Sequence, residues 1–142
     1  MPRVIAVTSG KGGVGKSNFV LNVGIALAMM DCSVQILDAD LGLANLDVLL
    51  GIRPLRTLDD LIAGRAGLGD ITIKTAYEVE LIPGGSGTQQ LTELNQNQIA
   101  SLVESVADQA RSKDFILVDT GAGISKATVG FLLTAPEVLV AV

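Results

Sequence analysis

Eight residues near the start constrain this chain more than any others: Gly10-Lys11-Gly12-Gly13-Val14-Gly15-Lys16-Ser17. Their spacing is G-x-x-x-x-G-K-[ST], a loop that cradles phosphate when it joins a strand to a helix. Both flanks are legible. Val4-Ile5-Ala6-Val7 reads as a buried strand, and apolar residues at Phe19, Val20, Val23, Ala26, Leu27 and Met30 predict a helix from Ser17 to about Met30. Four of the eight residues are glycine, so the backbone can take positive φ and turn its N–H groups inward. The helix start adds further N–H groups and the positive end of its dipole. Lys16 then reaches the terminal phosphates and the Ser17 hydroxyl ligates Mg²⁺, with Asn18 in the first turn. Lys11 is an extra cation, which on the residues alone serves the same phosphates.

The 142 residues suit one domain. Three Phe, one Tyr and no Trp leave Leu, Ile, Val and Ala to build the core. A net charge of −5 gives no general attraction for nucleic acid, so no nucleic-acid partner is expected. With one cysteine, Cys32, and no histidine, an internal disulfide is excluded and a metal site built on thiolates or imidazoles is not expected. Cys32 is read as packing at the turn into the second strand. The first apolar run is too short for a secretory leader, and no stretch reads as a membrane span. The expected compartment is the cytoplasm.

Strands alternate with helices along the rest of the chain. Ser33 to Leu37 is a strand that delivers Asp38-Ala39-Asp40 at its end. A loop then enters a short helix that runs to Leu50, and Thr57-x-x-Asp60 reads as a capping box for a helix from Leu58 to Ala63. Gly64, Gly67 and Gly69 break the stretch beyond that helix; Ile71 to Thr75 reads as a short exposed strand and Val79 to Ile82 as another. Asn97 to Ser112 is an amphipathic helix, Phe115 to Asp119 the most apolar strand, Ser125 to Thr134 a helix, and Glu137 to Val142 a last strand. This order predicts an α/β/α three-layer fold around a mainly parallel sheet. So apolar a final strand marks residues 1–142 as the N-terminal part of a single longer domain.

Asp38, Asp40 and Asp119 all fall at strand C-termini, on the sheet edge where the glycine loop also lies. Mg²⁺ on a triphosphate takes oxygen ligands and keeps several waters. Asp119, after four apolar residues, is assigned to the metal through water, and Asp38 to its outer shell. Asp40 is assigned to holding the attacking water, and Asp47 to a helix cap or surface charge. Gly121, in Asp119-Thr120-Gly121-Ala122-Gly123, lets a backbone N–H approach the γ-phosphate. Lys126 reads as a solvated helix lysine.

Lys11-Gly12-Gly13-Val14-Gly15-Lys16-Ser17 resembles the deviant Walker A motif of the MinD/ParA ATPases, whose signature is the first lysine. Asp38 to Asp47 resembles the MinD switch I. Asp119 to Ser125, Ile82-Pro83-Gly84-Gly85-Ser86-Gly87 and Ser17-Asn18 are most similar to the FlhG (FleN, YlxH) branch, regulators of flagellar number and placement. The resemblance implies a slow, partner-stimulated ATPase switch that binds ATP and Mg²⁺ and forms an ATP-dependent homodimer. In it Lys11 serves the partner subunit's phosphates and Asn45 helps join the subunits. It also implies the GTPase FlhF and the inner membrane surface as partners, engaged through segments outside this chain. The alternatives are a MinD-type cell-division or ParA-type partitioning ATPase, or a nucleotide-binding scaffold that does not hydrolyse. Iron–sulfur carriers share the loop but need paired cysteines, which a lone Cys32 does not supply.

Overall fold

Long apolar runs with β-branched residues become strands buried on both faces, and here they form one sheet. The computed structural model describes residues 3–9, 15–39, 46–85, 96–120 and 137–141. In chain order the elements are β1 (Arg3–Ser9), α1 (Lys16–Met29), β2 (Val34–Ala39), α2 (Leu46–Leu49), α3 (Leu58–Ile62), α4 (Leu68–Ile71), β3 (Ile73–Lys74), β4 (Val79–Ile82), α5 (Gln96–Gln109), a 3₁₀ turn (Ala110–Ser112), β5 (Phe115–Thr120) and β6 (Glu137–Ala141). The sheet order is β3-β4-β2-β5-β1-β6. β1 pairs in parallel with β5 and β6, and β2 with β4 and β5; β3 alone among them runs antiparallel, against β4.

Period-two alternation splits the core between the two faces. Val7, Val34, Ile36, Leu81 and Leu117 pack with Val20 and Leu21 of α1 and Leu46 of α2. Ala6, Leu37, Ile82, Ile116 and Val118 pack with Leu58 of α3 and Ile71 of α4, and Leu102 of α5 joins them. The three-layer expectation therefore holds. Helix α1 lies very close to the sheet: a Cβ on Gly24 would fall 2.8 Å from Ile36 Cδ1 and 3.6 Å from Leu117 Cδ1.

Several local expectations are corrected. The buried stripe of α1 is Val20, Leu21 and Gly24, whereas Phe19, Ala26 and Met30 are exposed. This helix is apolar nearly all round, so periodicity selects no face. The segment from Ile71 is not one exposed strand. Ile71 ends α4 and is fully buried, and the strand is only Ile73–Lys74. Gly69 lies within α4 rather than breaking it, because the Asp70 carboxylate accepts the Gly67 N–H at 2.9 Å and starts the turn. β2 runs on through Ala39, so Asp38 is inside the strand. Asp31 takes φ 64 in the left-handed turn closing α1, where the Cys32 N–H bonds Leu27 O at 3.1 Å; Cys32 is half-buried there. The helix expected at 125–134 lies outside the described residues.

The Thr57 capping box forms as expected. Asp59 N–H donates to Thr57 Oγ1 at 3.2 Å, and Thr57 N–H donates to Asp60 Oδ2 at 3.0 Å. That backbone bond, and next the side-chain bond from Arg65, hold the Asp60 carboxyl below its ordinary value of 3.8. A depressed carboxylate pKa adds stability that is complete above about pH 4 and is lost as pH falls through the lowered value. Asp60→Asn should therefore melt earlier than wild type at about pH 6, with the gap narrowing as pH falls below about 4. Thermal melts across that range check it, and a gap that stays constant refutes it.

Gln35 is wholly buried, on the face shared with Leu37, and among the described residues neither its side-chain nitrogen nor its oxygen has a hydrogen-bond partner. Such a group costs about 1–3 kcal/mol. Gln35→Leu keeps much of the volume and should raise the melting temperature by about 5 °C, read by scanning calorimetry. A lower melting temperature would show that the amide is bonded.

Candidate nucleotide and metal site

Helix α1 begins where Gly15 adopts φ 80. Among the described residues nothing lies within 4 Å of where its Cβ would be, and the left-handed backbone itself asks for glycine there. The turn brings Lys16 and Ser17 onto the helix N-terminus, with Phe19 N–H donating to Gly15 O at 3.0 Å. Asn18 comes next, exposed.

Both side chains converge on one carboxylate. Asp119 in β5 is 0% exposed and shares the face of Leu117, toward α1. The Lys16 ammonium, itself 7% exposed, forms an ion pair with Asp119 Oδ1. The Ser17 hydroxyl donates to Asp119 Oδ2 at 2.9 Å. A carboxylate without water needs such donors, since an unpaired buried charge is very costly.

Asp38 is the in-register neighbour of Asp119 across β2 and β5 and is 1% exposed. Its Oδ2 accepts the Leu46 N–H at 3.1 Å, at the start of α2. The helix-capping acid is therefore Asp38; Asp47 sits half-buried in the first turn of α2. Thr120, fully buried, donates from Oγ1 to Val7 O at 2.8 Å and ties the end of β5 to β1, the strand that leads into the glycine loop. The spacing of the sequence did not single out Thr120 for this; the only signal was its place directly after the acid.

Lys16, Ser17, Asp38 and Asp119 are thus gathered at one sheet edge, with Gly15 at the helix start beside them. Gly10, Lys11, Gly12, Gly13, Val14, Asp40, Asn45, Gly121 and Lys126 lie outside the described residues. Of the second glycine loop, Pro83 O accepts the Leu58 N–H at 3.0 Å and Gly85 lies against the Asp59 carboxylate, so the loop begins docked on α3.

Residues 1–130 match the ParA family, described as NUBPL iron-transfer P-loop NTPase. The chain is 48% identical over 140 residues to the antiactivator FleN of Pseudomonas aeruginosa, covering 99% of this chain and 50% of that protein. The chain belongs to the ParA/MinD family of P-loop NTPases. It is also 39% identical over 130 residues to the flagellum site-determining protein YlxH of Helicobacter pylori, covering 92% of this chain and 44% of that one. Among solved structures, the septum site-determining protein MinD of Pyrococcus horikoshii, complexed with Mg-ADP, is similar with a TM-score of 0.85 and 31% identity, covering 99% of this chain and 58% of its own. The chain spans about half the length of these ParA/MinD relatives.

Proposed function

We propose that this chain carries the phosphate-binding part of an ATP-binding and ATP-hydrolysing switch of the MinD type. It forms an ATP-dependent dimer and regulates flagellar number and placement. One observation carries the chemistry: Lys16 and Ser17, at a helix N-terminus after the glycine loop, meet a buried Asp119 that neighbours Asp38. The flagellar reading draws support from the similarity to FleN and YlxH, and the Mg-ADP of the similar MinD structure supports the ligand.

The donors fit Mg²⁺, a hard cation that prefers a hydroxyl, carboxylates and water. Ser17 would hold it directly and Asp38 and Asp119 through water; when bound, Mg²⁺ offsets the charge of the β- and γ-phosphates. Every other role falls to the chain itself. The Gly10–Gly15 backbone, Val14 included, encloses phosphate oxygens, and Asn18 and Asn45 line the nucleotide. Lys16 gives up Asp119 and donates to the terminal phosphates. Asp40 orients the attacking water, Gly121 offers its N–H to the γ-phosphate, and Lys11 reaches the partner subunit's nucleotide. We place the protein in the cytoplasm, at the inner membrane surface in its longer form, with FlhF as a protein partner and no nucleic acid.

Asp40→Ala should cut phosphate release by about 100-fold while leaving Mg-ATP binding within a few-fold. Phosphate release and titration calorimetry test this together. Equal hydrolysis by wild type and variant would remove Asp40 from its role. The similarity to an archaeal MinD favours a second reading, cell-division placement. A gene deletion separates the two: altered flagellar counts support the first, and misplaced septa with normal flagella support the second.

A further inference from the structure

We propose that the loop Arg53-Pro54-Leu55-Arg56 docks another protein, through an acidic, amphipathic segment of that protein whose carboxylates meet the two guanidiniums and whose apolar side takes up Leu55. Nothing in this depends on a bound nucleotide.

The loop joins α2 to α3 and is held at both ends. On one side the Ile52 N–H donates to Asp47 O at 2.8 Å, which folds the chain back on α2. On the other, Thr57 caps α3 and the Leu58 N–H donates to Pro83 O at 3.0 Å. Pro54 fixes its own φ and restricts Arg53 before it. The side chains between these anchors are therefore presented on a short, stiffened arch, and less ordering is left to do when they are bound. Leu55 is 99% exposed. An exposed leucine alone carries little, since apolar atoms make up much of any protein surface. This one stands between two exposed arginines whose charge is not answered nearby.

Arg53, Arg56 and Arg65 are three of the five arginines of a chain whose net charge is −5. The acids next to them are already engaged. Asp60 accepts the Thr57 N–H at 3.0 Å and pairs with Arg65 at 2.9 Å, and the Asp59 carboxylate lies against Gly85. Arg56 Nη1 donates to Arg65 O at 2.9 Å, a bond to a neutral carbonyl that aims the guanidinium and leaves its charge uncompensated. Arg53 has no hydrogen bond or ion pair among the described residues.

Guanidiniums select planar carboxylates, which they grip through two parallel hydrogen bonds. The acidity of the chain itself decides between classes of acidic partner. A bilayer or a nucleic acid brings a broad sheet of negative charge against the acidic surface around the loop. A peptide segment touches the loop alone, and salt screens charges beyond about 8 Å. Apolar contact around Leu55 then keeps water from the flanking ion pairs.

The probe is a fluorescein-labelled peptide of three Glu-Leu-Leu-Glu repeats, read by fluorescence anisotropy. Wild-type protein should bind it and ignore the same peptide with Lys in place of Glu. Arg53→Glu and Leu55→Ser should each weaken binding by about tenfold, and Arg53→Glu/Arg56→Glu should turn the preference toward the Lys peptide. Arg111→Glu makes the same change of net charge at another exposed arginine, on the 3₁₀ turn, and should stay within about twofold of wild type. Thermal melts of Arg53→Glu and Leu55→Ser should match wild type, because both side chains are exposed, and this keeps loss of binding apart from loss of fold. No binding of the acidic peptide by wild type overturns the docking, as does a loss in Arg111→Glu equal to that in Arg53→Glu. Wild-type binding to phosphatidylglycerol vesicles that Arg53→Glu abolishes, with the peptide unbound, overturns it too and gives the loop to a membrane.

Discussion

Lys16→Met is expected to reduce phosphate release by about 10²–10³ and to lower the melting temperature by about 10 °C. The two losses have different causes. Hydrolysis falls because the ammonium that would meet the terminal phosphates is gone. Stability falls because Asp119, fully buried, keeps among the described side chains only the Ser17 hydroxyl as a donor. Removing one member of a buried ion pair costs about 3–5 kcal/mol, a large part of the roughly 5–15 kcal/mol that holds a domain together. Replacing both members by apolar side chains costs far less, because no charge is then left buried. The double variant Lys16→Met/Asp119→Leu should therefore regain most of the melting temperature and none of the activity. Thermal melts and phosphate release on the three proteins decide the matter. A single variant that melts like wild type would mean that the pair contributes nothing to the folded state.

Lys11→Ala should lower hydrolysis further still, by about 10³–10⁵, the range found where a positive group is inserted across an interface during phosphoryl transfer. The telling experiment is a mixture. A protein lacking Lys11 retains Asp40, and one lacking Asp40 retains Lys11. If Lys11 acts across a symmetric dimer, one of the two sites in each mixed dimer is complete. An equimolar mixture should then regain about a quarter of wild-type activity, since half the dimers are mixed. A mixture as inactive as its parts would show that Lys11 serves its own nucleotide or none.

The features legible in the sequence are those whose cause is local. The glycine loop carries its own fingerprint, and the apolar runs that became β1, β2 and β5 have no competing reading. The Thr57 capping box is legible because both its bonds join residues within one turn. The three-layer architecture followed from alternation of elements and needed no side-chain detail. What escaped depends on contacts between distant segments. No pattern around residue 38 announces that its carboxylate holds the Leu46 N–H, and only the adjacency of β2 and β5 sets Asp38 beside Asp119. The Lys16–Asp119 pair joins residues 103 positions apart, so shared membership of one sheet edge was foreseeable and the direct pairing was not. The spacing that announced α1 left its inward face unspecified, since Phe19 and Met30 are apolar yet exposed. The short strand expected at Ile71 to Thr75 was drawn too long, because two residues paired with one neighbour leave hardly any periodicity to set its ends.

The close seating of Gly24 against Ile36 and Leu117 has a mechanical consequence. No side chain fits between helix and sheet at this point, so the two meet through backbone, and even a methyl group at position 24 would have to displace Ile36 from beneath the helix that carries Lys16 and Ser17.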